Sequence, residues 1–129
     1  MTSDIVRRQR LERAVLALAQ PAHVQLSLFP DFVCKADELA LDFEEALDGF
    51  FGYEAEIEEH ERVELTALDR LILSKSGKAN EGFWTDDALQ KHPTWDTIRA
   101  AAKATAAAFG WELRRPPESG AIYIGSAST

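Results

Sequence analysis

The sequence predicts an α+β fold, mainly α, in which three to four helices pack with a small C-terminal β-hairpin. Three observations predict it. Leu39, Phe43, Ala46, Leu47 and Phe50 recur at helical spacing and form one apolar stripe. Trp95, Ile98, Ala102, Thr105 and Phe109 follow one another at intervals of 3, 4, 3 and 4, a continuous apolar seam. Segments 112–115 and 121–124 flank the run Pro116-Pro117-Glu118-Ser119-Gly120, the pattern of a hairpin with a long loop. The 129 residues fit a single compact domain, 1–129, with no repeat or linker dividing them. A domain of this size buries on the order of two thirds of its unfolded surface, enough for one core.

Taken in order, residues 3–19 read as a helix, with Ser3 as N-cap and Asp4 in the first turn. Leu11, Ala14, Val15 and Leu18 supply its apolar face, and Gln20-Pro21 ends it. Val24, Leu26 and Leu28 alternate with other residues, which predicts a short strand before Pro30. Asp37 is placed to cap the helix that carries the first stripe, and Gly52 to stop it; Gly49 lies near its end or marks a close contact. Residues 53–58 alternate apolar and acidic and read as strand or irregular structure at the start, while the choice between strand and helix stays open from Tyr53 to Glu64. A clearer helix is predicted from Thr66, with Asp69 at N3 and a core face of Leu65, Leu68, Leu71 and Ile72. Lys78–Gly82 reads as a loop. Thr85 caps a short helix, and Thr94 caps the long alanine-rich one that stops at Gly110, where Trp111 is expected to pack back.

Charge is the most distinctive feature. Residues 31–69 hold fourteen Asp or Glu against Lys35 and Arg62, a net of −12, while the whole chain carries −8. The acids lie mostly off the Leu39–Phe50 stripe, so the band buries one face and displays carboxylates on the other. Arg7, Arg8, Arg10 and Arg13 crowd the first helix, as a solvated face, as a cover for the acidic band, or as a basic arm for an anionic partner. A net of −8 opposes direct nucleic-acid binding, because phosphates are repelled. The single Cys34 forms no internal disulfide and suits a reducing compartment. No apolar run is long enough for a signal peptide core or a membrane span, so a cytoplasmic location is expected.

No coherent catalytic set emerges. His60 with Glu56 and Glu64 has metal-ligand spacing on a helix but lacks further nitrogen ligands, so no metal or cofactor is expected. Ser74-Lys75-Ser76-Gly77-Lys78 has Ile72 where a phosphate loop needs glycine and Ala79 where it needs a hydroxyl. Asp86 and Asp87 suit a helix N-terminus better than an acid–base pair. Cys34 has only Lys35 as a local activator. Trp84, Trp95 and Trp111, with Phe83 and Phe109, read most simply as core.

The function these features favour is a non-enzymatic, acidic interaction protein that docks on a basic partner. An immunity protein against a toxin nuclease, or an inhibitor mimicking nucleic-acid charge, would have this character, its partner being a toxin or a nucleic-acid-binding protein. Asp42, Glu45, Asp48, Glu56 and Glu59 are the candidate contact residues. One alternative is a small enzyme or ligand-binding domain with a site near Cys34, His60 and the Trp-lined region. Another is a housekeeping domain whose acidity confers solubility. The partner's identity, the pathway and the oligomeric state are not encoded in any motif.

Overall fold

The computed structural model describes residues 4–51 and 57–116. Six α-helices run in the order α1 (Asp4–Ala19), α2 (Ala22–Ser27), α3 (Lys35–Phe51), α4 (Glu59–Leu73), α5 (Asp86–Lys91) and α6 (Pro93–Phe109). A 3-10 helix over Lys78–Phe83 precedes α5, so the segment predicted as a loop is helical. The described residues contain no strand. Over the described residues the α+β expectation is therefore corrected to all-α.

Among the described residues the predicted hairpin is absent: residues 111–116 form no strand and are tied to the α1–α2 region. Gln20 Nε2 donates to the Arg114 carbonyl at 2.7 Å. The Arg114 guanidinium pairs with Glu12 at 3.2 Å, and Arg115 donates to Ser27 Oγ at 3.2 Å. Pro116 is buried. Side chains, not a ladder, hold this segment. The second arm, 121–124, lies outside the described residues, as do Gly52 and most of the alternating run after it.

The strand predicted near Val24 is also corrected, to helix α2. Its decisive residue is Gln25, which is fully buried. Helix ends leave carbonyls without intrahelical partners. The Gln25 amide donates to two such carbonyls at the end of α1, Ala17 at 3.1 Å and Leu18 at 3.0 Å. A helical turn after Pro21 points Gln25 back at α1, and that contact outweighs the period-2 pattern.

Helix α1 is the central element, packed against both α3 and α6, while α4 packs on α6. Every residue from Ala14 to Ala19 is buried, which a one-sided amphipathic reading does not anticipate. A helix covered on several sides is apolar all round. The α3 stripe behaves as predicted: Leu39, Phe43, Ala46, Leu47 and Phe50 are all buried. On α6, Trp95, Ile98, Ala102 and Thr105 are buried, but Phe109 is only partly so. Phe109 meets Phe50 edge-on at 6.2 Å and stacks on Trp111 at 4.3 Å. Trp111 thus packs back as expected, beyond Gly110 in the left-handed region at φ 76°.

Helix starts are where sequence reading slips. Helix α4 begins at Glu59, seven residues before the predicted Thr66, through a capping box built from Glu58 and Glu61. The Glu58–Glu61 pair uses carboxylates where the usual pattern has a hydroxyl. Helix α3 begins at Lys35, so Asp37 stands in its first turn and is not its cap. Its first amide, Lys35 N–H, donates to Asp86 of α5 at 3.1 Å. Helix α6 is capped by His92, whose Nδ1 accepts from Thr94 N–H at 3.1 Å, with Pro93 at the first helical position. Thr94 is thus inside the helix. Thr85 caps α5 as predicted, accepting from Ala88 N–H at 3.0 Å. Gly49 sits near the end of α3 with open space where a Cβ would stand.

Candidate interaction surface

The outward face of α3 follows from its inward one. With the apolar stripe buried, Asp37, Leu41, Glu45 and Asp48 fall at i, i+4, i+8 and i+11 on the opposite side, and all four are exposed. Leu41 is 53% exposed in the midst of these acids. Glu38, Asp42 and Glu44 line the flanks and are half-buried. Among the predicted contact residues, Glu45 and Asp48 share the exposed α3 face. Asp42 is three residues from Glu45 on the border of that face, and Glu59 is exposed on the first turn of α4. Glu56 lies outside the described residues.

Asp42 does not behave as a free surface acid. Burial, then the neighbouring charge of Glu38, pushes its pKa up to about 6, against the pull of Arg13. Arg13 of α1 thus faces the acidic band, and Arg8 lies over the rings of Phe50 and Phe109 at 5.6 and 5.5 Å. These two arginines of the basic helix serve the protein's own interior surfaces.

Glu44 was not among the candidates. It follows Phe43 directly and so sits at the edge of the buried stripe, the one sequence signal that could have marked it. Its side chain meets Asp69 of α4, and burial followed by that contact pushes the Glu44 pKa up to about 8.

Of the residues of the enzyme alternative, Cys34 meets the Trp84–Trp95 cluster, while His60 lies apart from it. Cys34 donates its S–H to the Trp84 carbonyl at 3.0 Å, beside the stacked Phe83–Trp95 pair. His60 Nε2–H donates to the Ala108 carbonyl at 3.0 Å, closing the last turn of α6. Trp95 and Ala108 are separated by most of α6, roughly 20 Å at 1.5 Å per residue. Trp111 lies at the Ala108 end, stacked on Phe109. Of the metal triplet read from the sequence, Glu56 is outside the described residues, and His60 is engaged with Ala108 and with Glu58 at 3.6 Å. Among the described residues no group of three or more His, Cys, Asp or Glu could hold a metal ion. Nor, among them, is any helix long and apolar enough to cross a membrane.

One further polar site is built with care. Arg99, on α6, is buried with its charge. Its Nε donates to Gln25 Oε1 at 3.1 Å, Nη1 to Asp96 at 2.9 Å, and Nη2 to the Leu89 carbonyl. Burial lowers its pKa and Asp96 opposes that. With Gln25 on the α1 carbonyls, this knot joins α1, α2, α5 and α6. Every group it uses is satisfied, which marks it as structural.

No family model, curated protein or solved structure matches the chain.

Proposed function

We propose that the outward face of α3 is a docking surface for a basic protein partner, with Glu45 and Asp48 as its principal contacts, Asp42 at its border and Glu59 of α4 as a further contact. The observation that supports this reading is the exposure pattern: acids at Asp37, Glu45 and Asp48 surround an exposed Leu41 on an ordered helix. A solvating face needs no large apolar residue at its centre, whereas interfaces combine an apolar anchor with a charged rim. The charge complement of such a face is a lysine- or arginine-rich surface, which the long-range field would steer onto it.

The test pairs capture with kinetics. A basic protein retained by the wild-type chain should be lost by Glu45→Lys/Asp48→Lys. Its association rate should fall steeply between about 0.1 and 1 M salt, over which the Debye length drops from about 10 to about 3 Å. The melting temperature of the double variant should stay within a few degrees of wild type, because both side chains are exposed. Association unaffected by the reversal, or a variant that no longer folds, overturns the reading.

A further inference from the structure

We infer that Glu44 and Asp69 share one proton across the seam between α3 and α4, and that this proton is a pH-sensitive latch holding the two helices together. The inference is independent of what docks on the outer face of α3.

The bundle's sides are not equally closed. Helix α1 packs closely on α3 and α6, and α4 on α6, but α3 and α4 have no comparable backbone packing. Across that side reach Glu44 and Asp69, in hydrogen-bonding contact. Glu44 Oε2 and Asp69 Oδ1 are both sealed from solvent, and neither meets a donor among the described residues. Two carboxylate oxygens have no hydrogen to offer each other. Buried acceptors without donors are costly, and so are two like charges in contact. A single proton resolves both costs, by making one group a donor and removing one charge.

No positive charge is among the groups that shift Glu44. The charges that face Glu44 are Asp69 from α4 and Asp48 from its own helix, both negative. From α1, Arg13 faces Asp42, and Arg8 lies over Phe50 and Phe109. From α5, Asp86 pairs with Lys35 and Asp87 with Lys91. On α6, Arg99 is held by Asp96, Gln25 and Leu89, and Thr105 Oγ1 donates to the Ala101 carbonyl.

The sign of the pH effect follows. The Glu44 pKa is raised from 4.5 to about 8 in the folded state. The folded chain therefore holds a proton that the unfolded chain has released at neutral pH. The stabilisation is complete below about pH 4.5 and is lost as pH rises through about 8. Acidification from mildly alkaline pH tightens the seam, opposite in direction to ordinary acid unfolding.

Two measurements on the full chain test this. In the first, Tm is followed from pH 5.5 to 9 for wild type and Glu44→Gln. The glutamine amide donates to Asp69 at every pH, so the wild-type Tm should fall by several degrees over this range while that of the variant stays flat. Parallel curves overturn the latch. In the second, carboxyl ¹³C resonances of the wild-type protein are titrated, so the test survives if the variant does not fold. The Glu44 midpoint should lie at least two pH units above that of exposed Glu45. Coincident midpoints overturn it.

Discussion

Two of the buried polar junctions between helices are built on opposite plans. At the junction of α1, α2, α5 and α6, Arg99 and Gln25 satisfy each other and the carbonyls of Ala17, Leu18 and Leu89. At the junction of α3 and α4, two acids face each other with no donor among the described residues. The first contains its own charge partner, Asp96, and needs no shared proton. The second works only while it holds a proton. The difference teaches that buried polarity is not one phenomenon: with a complete donor–acceptor set it locks geometry, and with one proton too few it makes geometry conditional.

The largest effect that would break this comparison lies at Arg99. Arg99→Met keeps the volume but leaves Gln25 Oε1 and the Leu89 carbonyl without their donor. At about 1–3 kcal/mol for each of the two buried unsatisfied acceptors, the loss should be about 2–6 kcal/mol. Urea denaturation at pH 7 reads it directly, and a shift of the midpoint worth less than 1 kcal/mol would show the knot to be dispensable. An intermediate effect separates the acids on α3. The Asp42 pKa is raised from 3.8 to about 6, so its contribution is full below about pH 3.8 and lost by about pH 6. Asp42→Asn should reduce the fall of Tm between about pH 4 and 6 to the part due to Glu44 alone, while leaving unchanged the slope between about 6 and 8 that belongs to Glu44. If it flattens the upper range as well, the two acids act as one group. The smallest effect sharpens the comparison most. The junctions share no partner, so Arg99→Met combined with Glu44→Gln should give the sum of the single changes within about 0.5 kcal/mol. A larger coupling would mean that the seam and the knot form one cooperative network.

Legibility in the sequence followed the range of the contacts involved. The stripes of α3 and α6 were readable because Leu39–Phe50 and Trp95–Thr105 repeat within a single helix. The Gly110 stop and the Thr85 cap were readable because each acts within a few residues. Helix α2 was not, because its decisive partners are the end of α1 and Arg99, which is 74 positions from Gln25. The false hairpin arose because a turn-forming run between two short segments, 112–115 and 121–124, carries no information about whether those segments pair. The start of α4 was misplaced because Glu58 and Glu61 were read as excess charge and not as a cap. The surface acids Glu45 and Asp48 could be separated from the stripe by spacing alone. The Glu44–Asp69 pair could not, since nothing in either neighbourhood marks the other. Its only trace was the position of Glu44 beside Phe43.

The central place of α1 has a consequence for how the chain is made. Its buried face needs α3 on one side and α6 on the other, and α6 ends ninety residues after α1 does. At about 5–20 residues per second, synthesis leaves that side of α1 without its native cover for roughly 5–20 s. Through that interval Leu11, Val15, Leu16 and Leu18 have only partial shelter, supplied by α3 once it emerges. Burial of α1 is thus completed only after α6 has been made.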